Sequence, residues 1–169
     1  KINRVRGVKR ASSRYALGGS ISHKSKEISM PILAIEPEDE IETMKIASRM
    51  KAGEYLSRGD TGQILIGNFV AGNVDESLDL FESLGGVRVG DRINVSYVNG
   101  VSKSYRIKGI FQTKSYQVDY MVFITNDEME RVLGRPLDQA TEILVKTQPE
   151  SDIKQVKTEL LKNGISEKV

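Results

Sequence analysis

Cysteine is absent from this 169-residue chain, which excludes an internal disulfide framework, a thiolate metal site and a catalytic thiol. Its absence does not assign a compartment, because a chain of this length buries enough surface to fold without cross-links. Histidine occurs once, as His23, and no carboxylate follows it before Glu27, so it reads as a surface residue rather than a metal ligand. Long apolar runs are missing as well. The longest, Met30 to Ile35 and Tyr120 to Ile124, are strand-sized, well short of the roughly 20 residues that cross a bilayer. Neither GxxxxGK[ST] nor GxGxxG occurs, and Gly18-Gly19, Gly85-Gly86 and Gly90 do not fit a phosphate cradle. Ser12, Ser13, Ser20 and Ser22 have no base at a spacing that would activate them, and no nucleophile elbow is present. Nothing here supports a catalytic residue, a cofactor or a metal.

Present instead is an ordinary globular composition, with 38% hydrophobic and 28% charged residues. The formal net charge of +2 hides an asymmetry. Lys1 to Lys26 holds eight cations and no acid, leaving 17 basic against 23 acidic residues and a net of −6 in the remainder. That basic stretch, interleaved with Val5, Val8 and Tyr15, has three readings: a solvated strand face, a lipid- or partner-facing surface, and a nucleic-acid surface. The cluster Glu36, Glu38, Asp39, Glu40 and Glu42 lacks the spacing of a calcium loop and reads as the solvated N-terminus of a helix.

Periodicity outlines the elements. Lys1 to Ile35 suggests two or three strands, and Pro37 opens a helix expected from Glu38 to Met50, with Ile41, Met44, Ala47 and Ser48 on one face and Gly53 as its stop. Ile64-Leu65-Ile66 is a short buried strand stopped by Gly67. Phe69 to Ala71 and Glu76 to Leu84 look helical, and Gly85-Gly86 reads as a flexible joint. Ile93, Val95 and Tyr97 alternate with Arg92, Asn94 and Ser96, the pattern of a half-buried strand. Asn99-Gly100 then turns the chain back into Val101 to Ile110, with a bulge marked by Gly109. Tyr120 to Ile124 suits a strand covered on both faces. Thr125 and Glu128 form a capping box for a helix carrying Met129, Val132 and Leu133. Ala140 to Thr147 reads as a strand and Pro149 to Lys162 as a helix with Ile153, Val156 and Leu160 at helical spacing.

The run Gly90-Asp91-Arg92-Ile93-Asn94-Val95, the hairpin, Arg106 to Phe111, Asp119 to Ile124 and a helix ending Val132-Leu133-Gly134 resemble, in that order, the extracytoplasmic core domain of MacB-like and FtsX-like ABC transporter permeases. Ala34 to Glu40, Ala52 to Leu56 and Gln63 to Ala71 are similar to its preceding segments. Ala34 stands for the usual Gly, Glu36 for Asp and Glu54 for Arg. The resemblance covers roughly residues 28–145. It implies an α+β fold of two lobes, a mixed α/β lobe built from both chain ends and an inserted β-rich lobe at about 86–118, together forming a core-domain unit over 1–169. It further implies a non-enzymatic domain on the extracytoplasmic side of the cell membrane. Such a domain couples ATP-driven movement to an exported small molecule or peptide, a lipoprotein or an envelope protein. Its implied partners are a cytoplasmic ABC ATPase, reached through the parent permease, and a second permease copy in a homodimer or pair. A start at Lys1 rather than Met, and an abrupt end at Ser166 to Val169, are what an excised piece would show, with transmembrane helices expected in the parent protein.

A second reading, from a different class, is a small-barrel nucleic-acid-binding module using the basic N-terminal segment, with salt-sensitive binding. The resemblance expects no nucleic acid. Candidate partner contacts are the hairpin tip, Asn99 and Gly100, and the polar loop at Lys114, Tyr116 and Gln117, where an aromatic can serve as an anchor.

Overall fold

The computed structural model describes residues 2–73 and 75–164. The expected ending at Ser166 to Val169 lies outside them. Two long strands open the fold, β1 (Val8–His23) and β2 (Lys26–Ile35), paired antiparallel from Arg14 opposite Ile35 to His23 opposite Lys26. The first helix, α1 (Pro37–Thr43), is shorter than its sequence pattern suggests. Glu40, not Ile41, is its buried residue besides Pro37, and continuing the helix would carry Ile46 away from the Glu40 face. Instead Met44 turns extended, Ile46 drops into the core, and a 3₁₀ turn at Ala47–Arg49 leads into β3 (Met50–Gly53). Gly53 therefore closes a strand rather than a helix.

β4 (Gln63–Gly67) is followed by the short helix α2 (Asn68–Ala71). The segment expected as a helix over 76–84 forms only the 3₁₀ turn Glu76–Leu78. Its apolar residues do not share one buried face, since Leu84 is buried while Leu78, Leu80 and Phe81 are exposed. The Gly85-Gly86 joint is tied down, with Gly86 and Val87 both donating to the Ala71 carbonyl.

β5 (Arg92–Tyr97) and β6 (Ser102–Phe111) make the expected hairpin, turned at Gly100 with φ +87°. The register of β4 against β6 jumps from Ile64–Ile107 to Leu65–Gly109, which places the bulge where Gly109 marked it. The remaining elements are α3 (Tyr116–Asp119), the fully buried β7 (Val122–Thr125), α4 (Asn126–Leu133), β8 (Glu142–Thr147) and α5 (Ile153–Lys162).

The sheet order β2-β7-β4-β6-β5-β1-β8, with β2 also paired to β1, closes a ring of six strands. β1 is long enough to close it. Its Gly19 to Ser22 pair with β5, its Val8 to Arg14 pair with β8 on the outside of the ring, and its other edge holds β2. β2 runs parallel to β7 and β4 parallel to β6. The fold is α+β. Ile93, Val95, Tyr97, Tyr105 and Ile107 from the 86–118 segment lie in the same apolar cluster as Ile21, Ile64 and Ile124. A second, smaller cluster of Ile35, Ile46, Leu56, Leu65, Phe111 and Phe123 fills the other face of β4 and β7. Among the described residues no helix is long and apolar enough to cross a membrane.

Candidate docking groove

Buried polar groups are the first place to look for chemistry, and here most are satisfied by one another, with Arg10 Nε and one Glu36 carboxylate oxygen left without a hydrogen bond. Arg14 donates Nε to Glu40 at 3.1 Å, pairs its guanidinium with the same carboxylate, and reaches Glu142 at 3.2 Å, while its guanidinium lies 5.3 Å from the centroid of the Phe123 ring. Ser12 donates to the other Glu40 oxygen at 2.6 Å. Arg10 pairs with Asp39 at 2.7 Å and Arg58 with Glu36 at 3.7 Å. The acidic cluster is thus only in part a solvated helix end. Its buried member, Glu40, neutralises Arg14 and takes it off the surface, while the half-exposed Asp39 pairs with the half-exposed Arg10. Burial raises the Glu36 carboxyl above its ordinary range, against the pull of Arg58.

A second network lies inside the ring. The Tyr97 and Tyr105 hydroxyls are 2.7 Å apart, Tyr105 donates to Glu128 at 3.2 Å, and Lys103 and the Gly62 N–H reach the same carboxylate at 2.8 and 2.9 Å. Glu128 is therefore engaged away from Thr125, and the capping box is one-sided: the Thr125 hydroxyl accepts from the Glu128 N–H at 3.2 Å and donates to the Asp60 carbonyl at 2.6 Å. The reason is competition, since a buried carboxylate gains more from an ammonium and a phenol than from one backbone N–H. Burial pushes both phenols well above the usual tyrosine range. His23 sits at the end of β1 with Nδ1 3.0 Å from the Arg92 carbonyl. No group of three or more His, Asp or Glu side chains that could hold a metal occurs among the described residues.

Unlike these clusters, one surface leaves costly groups in contact with water. Tyr116, 62% exposed, stacks on Phe69 at 5.5 Å; Phe69 meets Phe81 edge-on at 5.5 Å, and Phe81 meets Tyr120 at 5.5 Å. Four of the ten phenyl-bearing side chains are joined in this chain of rings. Pro31 and Leu33 of β2, with Met121, complete an open groove of about 490 Å³, where Gln117 and Glu142 supply the polar edge. Gly67 sets its geometry. A Cβ there would overlap the Asp119 carbonyl, so only glycine lets α3 lie against the end of β4, and the Gly67 N–H donates to the Met121 carbonyl at 2.9 Å. Asp119 anchors α3 from inside by accepting the Thr113 N–H at 2.6 Å. Tyr120 donates to the Glu82 carbonyl at 2.9 Å, and burial followed by the Glu82 charge raises its phenol.

The sequence-derived contacts divide between two places. Tyr116 and Gln117 line this groove, while Lys114 lines a neighbouring one with Met44, Ile46 and Arg49. Asn99 and Gly100 lie beyond the other end of the ten-residue β6, roughly 30 Å away at the usual strand rise. Asn99 is fastened there to the Val132 carbonyl at 3.2 Å. Phe81, Tyr120, Pro31, Leu33 and Met121 line the groove, Phe69 joins them through its ring contacts with Phe81 and Tyr116, and the sequence marks none of them as a contact. The signal that could have found them is Leu78, Leu80 and Phe81 set among acids just before a double glycine.

The family model described as "MacB-like periplasmic core domain" matches residues 1–163. Among solved structures, the extracellular domain of the noncanonic ABC-type transporter YknZ from Gram-positive bacteria is similar at 11% identity and a TM-score of 0.65, covering 98% of this chain and 81% of that one. The periplasmic region of MacB from Actinobacillus actinomycetemcomitans gives 10% identity and a TM-score of 0.61, with coverages of 96% and 70%. A domain of a putative permease protein from Porphyromonas gingivalis gives 16% and 0.60, with coverages of 95% and 70%. No curated protein matches the sequence. Nothing in these comparisons supports the nucleic-acid reading.

Proposed function

Because this chain belongs to the MacB-like periplasmic core domain family, we propose that it is the extracytoplasmic, non-enzymatic part of an ABC transporter permease that passes ATP-driven movement to a partner or exported substrate. The observation that carries this reading is the family match over 1–163 together with a single apolar cluster running through the whole ring. Rigid-body displacement requires such a core, because a closed, packed sheet transmits force instead of absorbing it. The unit spans 1–169, its β-rich part at 86–118 moves with the rest, and its attachment to the membrane lies in the parent protein. An ATPase joined through that permease, and a second permease copy, are the partners this mechanism needs. Asn99, Gly100, Lys114, Tyr116 and Gln117 are its candidate contact residues.

The test uses the parent permease with its ATPase in liposomes, spin-labelled at Asn99→Cys and Lys114→Cys. Adding a non-hydrolysable ATP analogue is expected to move each label relative to the membrane while their mutual distance stays constant. Labels that hold still throughout the cycle would contradict the coupling. Calorimetry on the isolated chain should show no ATP binding, and stoichiometric uptake would count against a domain free of nucleotide chemistry.

A further inference from the structure

Resting on the docking role just described, we propose that the aromatic groove binds a cationic amphipathic polypeptide segment of a partner. Charge identifies the occupant. The loop supplying Phe81 carries Asp75, Glu76, Asp79 and Glu82 and no cation over 75–82, and Glu142, also paired with Arg14, is among the groove's lining residues. An apolar floor beside an acidic loop, with Glu82 next to Tyr120, complements apolar side chains flanked by lysine or arginine. Shape narrows the class further. The groove is open rather than enclosed, a form suited to one face of a helix and too shallow to bury most of a small molecule. The same charge argues against a lipid surface, since anionic headgroups repel four carboxylates on one loop. Ring-to-ring contacts from Tyr116 through Phe69 and Phe81 to Tyr120 hold the floor in place, so little side-chain entropy is lost when it is covered.

The probes are a short leucine–lysine amphipathic helix, its leucine–glutamate counterpart and phosphatidylglycerol vesicles, titrated against the 169-residue chain. The lysine peptide is expected to bind with an affinity that falls as salt rises, and the glutamate peptide to show none. The Phe81→Ser/Tyr116→Ala variant should weaken binding about tenfold or more, as loss of aromatic anchors does. Glu82→Gln should weaken it less and flatten the salt dependence. Tyr116→Ala alone, an exposed change that leaves the core untouched, repeats the test should the double variant misfold. Equal binding of both peptides, wild-type affinity in the variants, vesicle binding without peptide binding, or no binding at all would each overturn the proposal. Such failure leaves the coupling reading intact, because that is read from ATP-dependent displacement.

Discussion

Arg14 and Glu40 show at the scale of single residues how this chain resolves its uneven charge. Their side chains are 2% and 0% exposed, and a buried ion pair of this kind is far more costly to break than to omit. Glu40→Ala should therefore destabilise the fold by about 3 kcal/mol in urea unfolding, leaving the buried Arg14 beside Phe123 with only the half-exposed Glu142. The apolar pair Arg14→Met/Glu40→Leu should recover most of that loss; a double variant no better than the single one would show that the pair is needed for more than mutual neutralisation. Tyr97 and Tyr105 contribute to the alkaline limit, as does the Tyr55 phenol, which burial also raises. Their folded phenols titrate above the unfolded value of 10.0, so their stability contribution is complete below pH 10 and lost above it. There the unfolded state holds fewer protons, and stability should fall by about 1.4 kcal/mol per pH unit for each buried phenol. Tyr97→Phe should halve the part of that slope due to this pair, and an unchanged slope would mean that the pair does not control it. The sequence showed each of these residues but none of the pairings, because Arg14 and Glu40 lie on different elements and local pattern contains no information on which face of α1 turns inward.

Among the elements, legibility followed the strength of the local signal. The β5–β6 hairpin was readable because alternation, Asn99-Gly100 and the Gly109 bulge all agree. α1 and the 76–84 segment are less helical than their apolar spacing predicts, since tertiary contacts draw Ile46 into one core and Leu84 into another while leaving Leu80 outside. α4 was placed correctly, although only half of its cap was. Thr125 receives the Glu128 N–H and holds the Asp60 carbonyl, so Thr125→Ala should cost about 1–2 kcal/mol. Thr125→Ser should retain most of the stability, and equal thermal midpoints for the alanine variant and the wild type would refute the role assigned to this hydroxyl. The groove, by contrast, was legible only through Tyr116 and Gln117. Its other residues come from β2, α2, the 78–81 loop, the α3–β7 junction and β8, pieces scattered between residues 31 and 142.

At the scale of the molecule, ring closure joins the 86–118 segment to the first strand, since β1 pairs directly with β5. Native-state hydrogen exchange should therefore give the central amides of β1, β5 and β7 one common opening free energy. A β5–β6 unit that opens by itself would contradict transmission of force through a single body. The central claim is that this chain works outside the cytoplasm as part of a permease, and the absence of cysteine makes a direct test available. Asn99→Cys, at the hairpin tip, provides the one thiol of this chain in the full-length parent protein, and intact cells are treated with a membrane-impermeant maleimide. Labelling of this position without permeabilisation is the predicted result. Labelling only after the membrane is opened would place the domain on the cytoplasmic side and contradict the account.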